Sequence, residues 1–219
     1  MRRGLDFLHR ALEKLALTFQ EVSQDPLPEM EGRDFVARVR AGDRETLEDV
    51  VHAYLGQILR AARGAGLSPE RAEDVTQATF ATFIEVARRF EGRSHVRTFL
   101  FGILYKKIAE ARRGERREQQ TGSIEDLVES RFALDGSWQR PPRPLDLELQ
   151  DAEIRDAIDA CLDQVSTQQR MAFVLRELEG LTTEEICKIL DVTRTNLGVM
   201  LYRSRNRLRE CLETKGFRE

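Results

Sequence analysis

Residues 181–211 read LTTEEICKILDVTRTNLGVMLYRSRNRLREC, and this stretch decides the fold of the C-terminal part of the chain. Thr182 and Glu185 have the spacing of a capping box, in which a hydroxyl and a carboxylate each satisfy the other's backbone amide and open a helix. Ile186, Ile189 and Leu190 then share one face, and Cys187 is small enough for a second helix to cross closely. Asp191 is a residue type that adopts the left-handed turn conformation usually left to glycine. Thr193 caps a longer helix whose Leu197, Leu201 and Leu208 point inward. A short helix, a tight turn and a longer arginine-rich helix make the helix-turn-helix pattern, whose second helix can enter a major groove with its N-terminal residues at base edges. The outward candidates on that helix are Arg194, Thr195, Asn196, Gly198, Val199, Tyr202, Arg203 and Arg205. Arginines toward its end are suited to hold phosphates rather than read bases.

Working outward, the helix-turn-helix belongs to a domain over 148–213 that reads as four helices. Upstream, residues 118–147 form a linker, since Gly122, Gly136 and Arg140-Pro141-Pro142-Arg143-Pro144 interrupt any regular period. Residues 31–117 form a second compact helical domain. Its first helix, near 33–40, stops at Ala41-Gly42-Asp43, and its next, near 44–63, stops at Gly64 and Gly66. Ser68-Pro69-Glu70 starts a third, with a capping hydroxyl followed by proline where no amide hydrogen is needed. Phe80, Phe83, Ile84, Ala87 and Phe90 line one face of that helix. After a break at Gly92–Ser94, a last helix runs from Val96 into a basic stretch ending near Arg117. Residues 1–30 are an extension in which Leu5, Leu8, Leu12, Leu15, Phe19 and Val22 form a narrow apolar stripe, suited to folding back onto its own domain or docking on a partner. Asp25-Pro26-Leu27-Pro28 breaks the chain, and Met30 just beyond it offers a second translation start. The expected fold is all-α: two small helical domains joined by a flexible linker.

Hydrophobic residues at 41% supply a core, and 33% charged residues mark a helix-rich surface. A net charge of −3 suits a nucleic-acid binder poorly until it is resolved along the chain. Residues 88–117 carry ten Arg and Lys against three Glu, and residues 193–209 carry five Arg and no acid. Two basic islands in an otherwise acidic chain imply two polyanion contacts beside surfaces for a protein partner. Cys161, Cys187 and Cys211 form no CxxC or Cys/His cluster, which argues against a zinc site and a disulfide framework and fits a reducing cytoplasm. No apolar run is long enough to span a membrane. His9, His52 and His95 are scattered, and no phosphate-binding glycine loop or nucleophile–base set is present, so neither an enzyme nor a cofactor is expected.

The first island, FEGRSHVRTFLFGILYKKIAEARRGERRE from Phe90 to Glu118, mixes aromatics with cations. A surface that holds melted DNA combines cations for the backbone with pockets or platforms for unstacked bases. The loop Gly92-Arg93-Ser94-His95 is the candidate for base capture, with Arg97, Tyr105, Lys106, Lys107, Arg112 and Arg113 along the helix. Phe99, Phe101, Ile103, Leu104 and Ile108 are assigned mainly to the core.

Three motifs in order then resemble the extracytoplasmic-function sigma factors of bacteria. They are Ala72-Glu73-Asp74-Val75-Thr76-Gln77, Arg97-Thr98-Phe99-Leu100-Phe101-Gly102-Ile103, and the helix-turn-helix ending Leu201-Tyr202-Arg203-Ser204-Arg205. The resemblance covers about 33–117 and 148–213 and leaves the linker unmatched. It implies an initiation factor that docks on core RNA polymerase through Glu73, Asp74 and Gln77. It further implies that Arg93, Ser94, His95, Arg97, Tyr105, Lys106, Lys107, Arg112 and Arg113 read and melt the minus-ten element. Arg194, Thr195, Asn196, Val199, Tyr202, Arg203 and Arg205 would read the minus-thirty-five element. An anti-sigma factor is the implied regulator. Ala78 stands where relatives often have an acid, and Gly198, Val199 and Met200 where they often have Lys-Ser-Arg, so Arg194, Asn196 and Tyr202 are expected to set an uncommon promoter preference. The alternative is a conventional helix-turn-helix repressor or activator that binds duplex DNA without polymerase.

Overall fold

The computed structural model describes residues 30–118 and 151–216. The apolar stripe of 5–22 and nearly all of the 118–147 linker lie outside these described residues. Among the described residues there are eight α-helices and no strand. The first bundle contains α1 (Gly32–Ala41), α2 (Arg44–Gly64), α3 (Pro69–Val86) and α4 (Val96–Glu118). The second contains α5 (Asp151–Leu162), α6 (Thr167–Phe173), α7 (Thr183–Leu190) and α8 (Arg194–Thr214). A 3₁₀ turn over Ala87–Arg89 extends α3, and a π turn over Val174–Leu178 extends α6.

The helix ends follow from side-chain chemistry. Asp43 accepts from the Thr46 amide at 3.0 Å to start α2, and Ser68 accepts from the Arg71 amide to start α3 with Pro69 behind it. Thr182 and Glu185 form the expected reciprocal box, with the Glu185 carboxylate accepting from the Thr182 amide at 2.9 Å. Asp191 has φ 54° and ψ 53°, the left-handed conformation expected of it, and Thr193 accepts from the Asn196 amide at 3.2 Å. Each such cap is worth about 1 kcal/mol.

Val50, Tyr54 and Ile58 of α2, Phe83 of α3, and Leu100, Phe101, Leu104 and Ile108 of α4 have no exposed surface. The same apolar core continues into the second bundle through Met171, Val174, Leu175, Leu181 and Ile186. Helix α4 packs against both α3 and α7, so the two bundles share one interior. A smaller core of Ile158, Leu162, Phe173, Leu208 and Leu212 holds α5 to α8.

Two expectations need correction. Ile84 does not share the buried face of Phe80, Phe83 and Ala87; it is 49% exposed beside Leu47 and Val51, because the helical period carries it to the outer edge of α3. The cysteines are not all free: Cys161 and Cys211 form a disulfide, and only Cys187 remains a thiol. Sequence spacing hides this pair because α5 and α8 lie side by side and bring residues 50 positions apart to a Cα separation of 5.7 Å.

Candidate nucleic-acid interface

Helix α8 is anchored by its inner face and presents its outer one. Leu197, Leu201 and Leu208 are buried, while the Ser204 hydroxyl donates to the carbonyls of Met200 and Gln169 and ties the helix to α6. The opposite face exposes Arg194, Thr195, Asn196, Gly198 and Arg203, with Val199 and Tyr202 each more than two-fifths exposed. Arg194 meets Glu184 at 2.8 Å across the turn, on the open surface. Arg205 differs from its neighbours: it is half-buried and donates twice to Glu177, at 2.5 and 3.1 Å. Its place is at the π turn, one step behind the open face.

On the first bundle, Glu73, Asp74 and Gln77 are exposed together on α3, with Glu73 3.7 Å from Arg63. Ile84 is exposed further along the same helix, beside Leu47 and Val51 of α2, so an apolar edge lies on the element that carries the acids. The loop before α4 is built tightly. Gly92 has φ 65°, and a Cβ there would lie 2.6 Å from Val36, so glycine is required both by conformation and by space. Arg93 is exposed and pairs with Glu91, and Ser94 is half-buried. His95 starts the helix: its Nδ1 accepts from the Arg97 amide at 3.0 Å, its ring meets Tyr54 edge-on, and its Nε2 lies 3.2 Å from Glu31. Burial lowers the His95 pKa, with Glu31 opposing and Arg97 adding to the shift. Along α4, Lys106 and Arg113 are exposed, Tyr105 is half-buried, and Lys107 lies 3.6 Å from Glu110.

Two of the expected minus-ten contacts reach across to the second bundle. Arg97 donates to Glu185 at 3.1 Å, and Thr98 donates to the same carboxylate oxygen at 3.1 Å. Arg112 donates to the Ala65 carbonyl and, at 3.3 Å, to Thr167. Both arginines therefore bridge the bundles. Burial of the Glu185 carboxyl works to raise its pKa, but the Thr182 amide, Arg97 and the Thr182 hydroxyl outweigh it and bring the value down to about 2.

The centre of the junction is Arg170, which the sequence reading did not single out. Its side chain is 1% exposed. It donates to the Gly64 carbonyl at 2.6 Å, to the Asp159 carbonyl at 3.3 Å, and to the carboxylates of Asp159 and Asp163 at 2.9 and 2.5 Å. Gly66, at φ 84°, gives the guanidiniums room, since a Cβ there would stand 2.7 Å from Arg112 and 2.8 Å from Arg170. Nearby, Glu179 is 3% exposed and 3.5 Å from Arg60; burial raises its pKa and Arg60 only partly opposes. The sequence does hold one signal for this cluster: two aspartates four residues apart, Asp159 and Asp163, the second of them seven residues before an arginine.

An exposed recognition helix on one bundle and a basic, aromatic-bearing helix on the other define a DNA-binding factor with two contact surfaces. Comparison with known proteins makes the assignment specific. Residues 50–118 match the family model described as "Sigma-70 region 2", and residues 155–208 match "Sigma-70, region 4". A probable RNA polymerase sigma factor of Haemophilus influenzae is 30% identical over 151 residues, spanning 66% of this chain and 78% of that protein. The ECF RNA polymerase sigma-E factor of Escherichia coli K12 is 25% identical over 170 residues, 78% of this chain and 88% of that one. Two solved structures share the fold. CnrH in complex with the cytosolic domain of CnrY has a TM-score of 0.57 at 18% identity, covering 82% of this chain and 95% of that one. The sigma factor RpoE in complex with the anti-sigma factor NepR from Bartonella quintana also has a TM-score of 0.57, at 23% identity over 77% and 98% of the two chains. The chain belongs to the sigma-70 family, in its extracytoplasmic-function group. It is an initiation factor that binds core RNA polymerase and directs it to specific promoters.

Proposed function

We propose a division of labour along the chain: residues 31–117 dock the polymerase and open the minus-ten element, residues 118–147 link, and residues 148–213 read the minus-thirty-five element. Residues 1–30 are assigned neither role. Glu73, Asp74 and Gln77 carry polymerase docking, supported by their joint exposure on α3, the helix that also carries the apolar edge at Ile84. Arg194, Thr195, Asn196, Val199 and Tyr202 read bases, and Arg203 and Arg205 hold phosphates. The observation that carries this reading is the outer face of α8, which stays exposed while its inner leucines are fixed in the core.

Arg93, Ser94, Lys106, Lys107, Tyr105 and Arg113 serve the minus-ten element from the loop and outer surface of α4, with His95 setting the loop by capping the helix. Arg97 and Arg112 also serve it, and because both bridge the bundles, their use on DNA requires the bundles to separate. Shared membership with RpoE, solved in complex with the anti-sigma factor NepR, supports an anti-sigma partner for this chain. The protein acts in the cytoplasm, beside the polymerase, and has no catalytic activity of its own. A conventional repressor is not favoured.

Run-off transcription with sigma-free core polymerase on a promoter library tests the reading. Specific transcripts are expected with the full chain, and they should vanish when Glu73, Asp74 and Gln77 are replaced by alanine. Duplex binding without polymerase and no transcripts would move the assignment to a conventional regulator.

A further inference from the structure

We propose that the Cys161–Cys211 pair is a thiol–disulfide exchange site, read by a dithiol reductant, and that its state sets how firmly the two bundles are joined. The inference starts from what holds α5. This helix is attached to the rest of the described chain through the small core shared with α8, through the disulfide, and through Arg170. Cys161 sits between Asp159 and Asp163, the two residues whose carboxylates clamp Arg170. Arg170 in turn holds the Gly64 carbonyl of the first bundle. One covalent bond, two carboxylates and one guanidinium thus form a continuous chain from the end of the recognition helix to the end of α2.

The two cysteines are unequally covered. Cys161 has no exposed surface, whereas Cys211 is 8% exposed and its Sγ lies 3.5 Å from the exposed Gln164 amide. A thiolate of the reductant therefore attacks Cys211 Sγ after Gln164 moves aside. The S–S bond breaks, and its electron pair leaves on Cys161 Sγ, which takes a proton. The reductant's second thiol attacks the mixed disulfide and releases Cys211, which takes the second proton. Two electrons and two protons pass to the chain, and the reductant becomes a disulfide. Oxidation by a disulfide of the same class runs the reverse way.

Once the bridge is open, α5 is held against α8 by non-covalent contacts alone. When α5 swings out, its aspartates leave a guanidinium that is almost wholly buried, and a buried charge without partners draws in water or moves to it. Arg112 shares this pocket, because both guanidiniums crowd Gly66. The reduced form is therefore the form in which the bundles part more readily.

The test uses the full chain. Alkylation of the denatured, unreduced protein should label one thiol, Cys187, and three after dithiothreitol. Hydrogen exchange on the folded protein should then quicken on reduction by about tenfold at the α5 amides and at residues 64–66, whose amides are hydrogen-bonded at the end of α2. The double variant Cys161→Ser with Cys211→Ser should exchange quickly with or without reductant. If that variant does not fold, wild-type protein with and without dithiothreitol still decides. Three labelled thiols even after treatment with a disulfide oxidant would overturn the proposal. So would a bridge whose reduction quickens α5 alone and leaves 64–66 unchanged, which would make it a staple within the second bundle only.

Discussion

Glu185 performs two tasks with one carboxylate, and replacing it with glutamine separates them. One oxygen accepts from the Thr182 amide and hydroxyl, both at 2.9 Å, and so opens the helix-turn-helix. The other accepts from Arg97 and Thr98, both at 3.1 Å, and so joins α7 to the first bundle. The carboxyl lies near pKa 2 against an ordinary 4.5, and its side chain is only 19% exposed. At 1.36 kcal/mol for each pKa unit, the charged form contributes about 3 kcal/mol to the folded state at neutral pH. Arg97 supplies one of the four hydrogen bonds and a coulombic attraction besides, so its coupling to Glu185 should be on the order of 1–2 kcal/mol. Because the folded value is depressed, this contribution is complete above pH 4.5 and fades as pH falls toward 2. The assay is urea unfolding of wild type, Glu185→Gln, Arg97→Met and the double variant, from pH 7 down to pH 3. The coupling should be full at pH 7 and reduced at pH 3. A coupling below about 0.3 kcal/mol at pH 7, or one that ignores pH, would refute the reasoning.

Three further outcomes are expected. Glu179→Gln should melt at an equal or higher temperature than wild type at pH 8. The difference should shrink toward pH 4.5, because a group whose folded pKa is raised binds its proton more tightly in the folded state and stabilises it as pH falls; thermal melts at several pH values decide it. Gly66→Ala places a methyl group against two guanidiniums at positive φ, and should cost at least about 1–3 kcal/mol in denaturant unfolding while speeding proteolysis between the bundles. Val199→Arg adds a cation to the open face of α8 and should change which promoters are transcribed from a library while leaving thermal stability within about 0.5 kcal/mol.

What could be read from the chain was what local chemistry controls. Capping residues act on amides two or three positions away, so Ser68, Thr182 and Thr193 could be assigned from their neighbours alone. Asp191 could be assigned because few residue types tolerate its backbone conformation. The exposed face of α8 followed from the positions of its leucines. Contacts between distant segments had no such signature. The helical period sets Ile84 at the edge of the face that carries Phe80, Phe83 and Ala87, and the packing of α2 against α3 decides that the buried face stops short of it. Cys161 and Cys211 are paired by two helices lying side by side, which no spacing rule predicts. Arg112 looked like part of a DNA surface because its sequence neighbours are basic, whereas its actual neighbours are the carbonyl of Ala65 and the hydroxyl of Thr167.

That last case shows why one arginine can belong to two surfaces. A guanidinium carries five donors and is always charged, so it needs acceptors in every state of the protein. Under the proposed function those acceptors on promoter DNA would be phosphates or base edges. In the joined bundles they are the carbonyl end of α2 for Arg112 and the Glu185 carboxylate for Arg97. Helix C-termini and carboxylates offer the negative potential that a phosphate offers, at similar donor–acceptor distances. On that reading the Glu185 carboxylate would stand where Arg97 would otherwise meet DNA, so acidity in the chain is not at odds with nucleic-acid binding. If the bundles separate on DNA, these internal acceptors would be exchanged for external ones, and the net gain would be a difference between two well-satisfied states. A contact of that kind contributes less to affinity than an exposed arginine such as Arg203, and makes binding depend on whatever parts the bundles.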